Sequence, residues 1–100
     1  MATENEPRMT LQTIKVLGVF LEDPHGNTAG SDIRKKTKLM SGTYYPILLR
    51  LEKAGWLTSK WEEIDPHEEG RPRKRFYRLT PLGQRRAQEV QAEVVGALGA

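Results

Sequence analysis

The stretch Ser41-Gly42-Thr43-Tyr44-Tyr45-Pro46-Ile47-Leu48-Leu49-Arg50-Leu51-Glu52-Lys53-Ala54-Gly55 decides how the whole 100-residue chain is read. Within it Tyr44, Ile47, Leu48, Leu51 and Ala54 recur at three- and four-residue spacing, the period of one helical face. Ser41 can accept backbone N–H groups and is expected as the N-cap. Pro46 falls early, where its missing N–H costs least, and Gly55 supplies the left-handed residue on which helices commonly stop. The spacing predicts a helix over 41–54 that turns Tyr44, Leu48 and Leu51 into a core. Ser41, Gly42, Thr43, Tyr45 and Arg50 are left off that apolar face.

Immediately before it, residues 29–37 read as a short helix with Ile33 inward and Arg34, Lys35 and Lys36 outward, followed by a turn over 38–40. Two helices joined by so short a turn match the helix-turn-helix plan. Further upstream, Thr10 caps a first helix whose Leu11, Ile14, Leu17, Gly18 and Leu21 share one face, while Val16, Val19 and Phe20 make other sides apolar too. A helix of that kind needs partners on more than one side. Residues 22–27 hold Asp, Pro, Gly and Asn and end it. Downstream of Gly55 the period becomes that of strands, over 56–62 and 75–79, with a long hairpin loop over 64–73. Thr80 then caps and Pro81 opens a last helix, 81–98, striped by Leu82, Ala87, Val90, Val94 and Leu98. The expected fold class is mainly α with a small β-hairpin. Residues 1–9 form a disordered lead-in, 10–80 a winged helix-turn-helix domain, and 81–98 a C-terminal dimerisation helix.

One hundred residues hold one compact domain, and a body this small gains from a second copy. The chain has no cysteine, so disulfides, thiolate nucleophiles and cysteine zinc sites are excluded. Its acidic, polar start and the lack of a long apolar run point to a cytoplasmic chain. His25 and His67 sit in unrelated loops without partners at metal spacing. No Ser-His-Asp order or phosphate-binding glycine loop is present, and Glu68-Glu69 are loop neighbours with no rigid element to make them a dyad. Neither an enzyme nor a cofactor is expected.

The charges carry the functional signal. The formal balance is only +3, but Arg71, Arg73, Lys74, Arg75, Arg78, Arg85 and Arg86 fall in a stretch without one acid, whereas 62–69 holds five acids and no Lys or Arg. A basic wing tip and the group Arg34, Lys35, Lys36, Lys38 would flank the start of the third helix, giving one face the positive charge that phosphates seek. Gly42 would let a backbone come close. Ser41 and Thr43 can reach phosphate or base edges, and Arg50 can pair with guanine or phosphate. The candidate DNA contacts are thus Arg34, Lys35, Lys36, Lys38, Ser41, Gly42, Thr43, Tyr45, Arg50, Arg71, Arg73, Lys74 and Arg75.

The block 42–55, with Trp56-Leu57, Trp61-Glu62-Glu63, Gly70-Arg71-Pro72-Arg73-Lys74-Arg75-Phe76-Tyr77-Arg78-Leu79-Thr80 and Gly83, resembles PadR-family transcriptional regulators over roughly residues 10 to 90. The resemblance implies a homodimeric winged-helix binder of double-stranded DNA, usually a repressor, dimerising through its C-terminal helix. In two respects the chain departs from the general pattern. It has a single C-terminal helix, as in shorter members, and Leu49 stands where a basic or polar residue is common.

Two copies related by a two-fold would read an inverted repeat, with 41–54 in the major groove and 70–75 on the backbone or minor groove. The alternative is a winged helix used as a protein-interaction module in a larger assembly. The expected dimer seam sets the last helix, with Leu82, Val90, Val94 and Leu98, against the Val16 and Phe20 side of the partner's first helix and against its own mate. Trp56, Trp61, Phe76 and Tyr77 either line a pocket for a small aromatic effector, as the resemblance suggests, or pack the hairpin onto the helices and pair across strands.

Overall fold

The computed structural model describes residues 6–99. In chain order it holds α1 (Leu11–Glu22), β1 (Thr28–Ala29), α2 (Gly30–Thr37), α3 (Ser41–Lys53), β2 (Leu57–Trp61), α4 (Pro66–Glu69), β3 (Arg75–Leu79) and α5 (Pro81–Gly99). The expected winged helix-turn-helix with a trailing helix is the observed architecture. Thr10 caps α1, its Oγ1 accepting from the Thr13 N–H at 3.1 Å. Helix α3 ends in a Schellman motif: Gly55 sits at φ 82°, the Trp56 N–H reaches the Leu51 carbonyl at 2.9 Å, and the Gly55 N–H reaches that of Glu52 at 3.0 Å. Thr80 both caps α5, accepting from the Gly83 N–H at 2.9 Å, and donates to the Gly55 carbonyl at 2.6 Å. One hydroxyl thereby ties the end of α3 to the start of α5.

Several local expectations are corrected. The N-cap of α3 is Met40, which is extended and offers no side-chain cap, and Ser41 is already the first helical residue. The cause lies one turn earlier. Lys38 closes α2 in the left-handed region at φ 65°, which brings Met40 to the helix mouth so that its carbonyl takes the Thr43 and Tyr44 N–H groups. Pro46 is consequently the sixth residue of the helix, beyond the first turn, and leaves the Gly42 carbonyl without its usual i+4 donor. Thr28–Ala29 is a strand, pairing with β3 through Thr28↔Tyr77 and Ala29↔Phe76, so the sheet has three strands in the order β1-β3-β2. Two residues are too few for an alternating pattern to register in the sequence. The hairpin loop contains the single turn α4, capped by Asp65 and closed by Gly70 at φ 68°.

The core joins every layer. Val16, Leu17 and Phe20 of α1 meet Ile33 of α2, Tyr44, Leu48 and Leu51 of α3, and Trp56, Leu57, Tyr77 and Leu79 around the sheet. Val16 and Phe20 are 0% and 1% exposed, so the expected dimer seam is corrected at these two positions: they are spent inside their own chain and offer no surface to a partner. The second apolar side of α1 is covered by the chain's own α5, where Ile14, Gly18 and Leu21 face Ala87 and Val90. Gly83 permits that docking, since a Cβ there would stand 1.9 Å from the Trp56 carbonyl oxygen. Of the lead-in, residues 1–5 lie outside the described residues. Residues 6–9 are irregular and mostly exposed, with Pro7 buried and Glu6 paired with Arg86 of α5.

Candidate nucleic-acid interface

The face built by α2, α3 and the wing is concave. A cleft of about 590 Å³ runs between the start of α2 (Ser31, Arg34), the aromatic side of α3 (Tyr44, Tyr45) and the wing (Trp61, Arg71 to Arg75). Arg34, Arg71, Arg73, Lys74, Arg75 and Tyr45, taken from three separate stretches of sequence, all line it. A second hollow on the same side of α2 collects Arg34, Lys35 and Lys38 with Met40. Ser41, Gly42, Thr43, Tyr45, Leu49 and Arg50 are exposed on α3, and open space lies where a Cβ on Gly42 would stand. The uncapped start of α3 adds the partial positive charge of a helix N-terminus. This is a surface on which anionic backbone can lie while a helix face meets base edges.

Not every predicted cation is free to serve. Lys36 points away, its ammonium 2.6 Å from the Glu22 carboxylate at the end of α1, which raises its pKa. Arg71 forks onto Glu62, with Nη1 and Nη2 at 2.8 and 2.9 Å from the two carboxylate oxygens. The Lys74 backbone N–H adds a third bond to that carboxylate at 3.1 Å. These partners, Arg71 first, hold the Glu62 carboxyl down to about 2 from its ordinary 4.5. Arg75 lies over the Trp61 ring at 5.0 Å and donates from Nε and Nη2 to Ser59 Oγ. The Ser59 hydroxyl in turn donates to Glu52 of α3 at 2.6 Å. Arg73 uses Nε on the Ile64 carbonyl, while the Lys74 ammonium makes no hydrogen bond or salt bridge with a described residue.

The sequence pattern does not mark the counter-charges Glu62 and Glu52, or the Ser59 hydroxyl that links Glu52 to Arg75. The hairpin register could have found Glu62. With Trp61 opposite Arg75, one step outward sets Glu62 against Lys74, and the Glu62 N–H donates to the Lys74 carbonyl at 2.8 Å.

The four aromatic residues do not form one pocket. Trp56 is in the core, 4% exposed, and Tyr77 lies on the inner face of the sheet. Trp61 is exposed beneath Arg75, and Phe76 lies on the opposite face, paired with Lys60. They pack the hairpin and form cross-strand contacts. Among the described residues no group of three His, Asp or Glu side chains could hold a metal, and no helix is long and apolar enough to cross a membrane.

The transcriptional regulator PadR-like family matches residues 16–89. This chain belongs to the PadR-like family of transcriptional regulators. Among solved structures, the PadR-like chain is similar to the smu.1704 protein of Streptococcus mutans UA159, with 28% identity and a TM-score of 0.70 over 87% of this chain and 78% of that one. A PadR family regulator of Eggerthella lenta DSM 2243 is 26% identical, with a TM-score of 0.64 over 89% of this chain and 76% of that one. Overoxidised AbfR bound to DNA, a protein of Staphylococcus epidermidis, is 26% identical, with a TM-score of 0.69 over 90% of this chain and 60% of that one. Among curated proteins no relative is found. This PadR-like regulator is thus a transcriptional regulator on a winged-helix DNA-binding fold.

Proposed function

We propose that the protein acts as a homodimeric repressor that reads an inverted repeat in double-stranded DNA, with α3 in the major groove and the wing on the backbone or minor groove. The observation that carries this reading is the cationic cleft between α2, α3 and the wing, with the exposed, uncapped start of α3 at its edge. Thr43, Tyr45 and Arg50 are the side chains placed to reach base edges, and Ser41 and Gly42 lie where a phosphate would approach the helix N-terminus. Arg34, Lys35, Lys38, Arg73 and Lys74 supply the backbone charge. Dimerisation falls to α5. Val90 is packed on the core and Val94 is half-buried, but Val95 and Leu98 are 62% and 83% exposed on the outer half of the helix, and Leu82 is 38% exposed. The apolar area left wet on a single chain supports a two-fold pairing of these helices.

Binding to a mixed-sequence duplex, followed by selection from a random pool, tests the reading. If two protomers neutralise about six to ten phosphates, affinity falls roughly a thousand- to a hundred-thousand-fold between about 50 and 200 mM salt. Selected sequences should be two-fold symmetric, with half-sites about one helical turn apart. A flat salt profile would overturn the proposal in favour of a protein-interaction module.

A further inference from the structure

The wing carries four cations in five residues, Arg71, Arg73, Lys74 and Arg75, yet two of them are already committed to carboxylates of the same chain. We infer that Arg71 and Arg75 are positioning residues that brace the wing, held by Glu62 and by the Ser59–Glu52 relay, and that the wing's phosphate contacts are made by Arg73 and Lys74. The inference rests on the DNA-binding reading above and divides labour within it.

The geometry separates the two pairs. The Arg71–Glu62 fork is bidentate, the arrangement in which a planar guanidinium and a carboxylate bind most strongly and most directionally. The Glu62 side chain is only 17% exposed, and its third bond, from the Lys74 N–H, reaches the residue whose ammonium is left over. One carboxylate thus pins both sides of the wing tip across Pro72 and Arg73. A phosphate competing for Arg71 would have to displace a carboxylate already in place and leave it facing the DNA as an uncompensated negative charge. Arg75 is held on three sides. The indole of Trp61 lies beneath it, Ser59 Oγ accepts two of its N–H groups, and the Glu52 carboxylate stands 3.8 Å away. Glu52 belongs to α3, so this chain of bonds fixes the wing to the helix that meets the bases. Arg73 keeps its terminal nitrogens after using Nε on the Ile64 carbonyl, and the Lys74 ammonium, though near enough to Glu62 to act on its charge, makes no hydrogen bond or salt bridge with a described residue.

Counterion release reads the difference. Each phosphate contact contributes about 0.9 to the slope of log affinity against log salt, which is about a 3.5-fold share of the loss between 50 and 200 mM. On a mixed-sequence duplex, Lys74→Ala should make the slope shallower by about 0.9 per protomer. Arg71→Ala should lower affinity by a similar factor at every salt concentration and leave the slope where it was. A second measurement uses no DNA. Arg73 and Lys74 are trypsin sites inside the braced tip, and Glu62→Gln, which weakens the fork while keeping the shape, should speed cleavage there by about 5-fold as the tip opens more often. An Arg71→Ala slope as shallow as that of Lys74→Ala would place Arg71 on a phosphate and overturn the assignment. Unchanged cleavage in Glu62→Gln would remove the brace. A Lys74→Ala slope equal to wild type would instead sink the wing's share of DNA binding, and the trypsin result would still decide the brace by itself.

Discussion

Gly83→Ala adds one methyl group at the place where α5 crosses the chain's own backbone. Its carbon would stand 1.9 Å from the Trp56 carbonyl oxygen, 2.6 Å from the carbonyl carbon and 2.8 Å from the Cα. All three are main-chain atoms, so no rotamer change can relieve the overlap. The same carbonyl accepts the Thr80 N–H at 3.0 Å, and the Gly83 N–H is bound to Thr80 Oγ1 at 2.9 Å. A retreat of α5 by the ångström or more that ordinary contact needs would strain that cap and lift Ala87, 1% exposed, from the core. Overpacking of this kind costs about 1–3 kcal/mol, and losing a cap adds about 1. Alanine's better helix propensity returns only about 0.5–1 kcal/mol. The net loss of about 1–3.5 kcal/mol corresponds to a drop in Tm of roughly 5–25 °C for a domain of this size. Thermal unfolding followed by far-UV circular dichroism measures it. A variant melting within about 4 °C of wild type would refute the argument, because it would mean that α5 does not sit on the Trp56 carbonyl.

Gly42→Ala should behave in the opposite way. Nothing lies within 4 Å of its missing Cβ, so the fold should gain about 0.5–1 kcal/mol by chemical denaturation while duplex binding weakens; improved binding would argue against close approach at that residue. Val95→Asp and Leu98→Asp change residues 62% and 83% exposed and should leave the melting of the isolated domain nearly intact, yet shift sedimentation from dimer to monomer; dimers that persist would exclude this part of α5 from the pairing. The Glu62 carboxyl, held down to about 2, makes a contribution that is fully present above the ordinary 4.5 and is lost only as pH falls through about 2. Its side-chain carboxyl resonance should therefore still report the ionised form at pH 4, and a midpoint near 4.5 would show that the Arg71 fork does not form in solution.

Much of this protein is determined locally, and that part was legible in its residues. The period of Tyr44, Ile47, Leu48 and Leu51 marks α3, Gly55 its end, and Thr80-Pro81 the start of the last helix. Each of those signals acts within one or two turns of chain, and the run of wing cations is visible as composition. The cap of α3 was misplaced by one residue because it depends on a left-handed Lys38, a conformation that a lysine does not advertise. The two-residue strand β1 exists only because β3 lies beside it. Val16 and Phe20 looked available because hydrophobic periodicity says that a side must be covered without saying by what; the tertiary structure covers α1 with the chain's own α2, α3 and α5. The same limit applies to charge. By sequence Arg71, Arg75 and Lys36 are simply positive. Only the fold sets Glu62, Glu52 and Glu22 within about 4 Å of them, because ion pairing falls off over a few ångströms in space and is blind to separation along the chain.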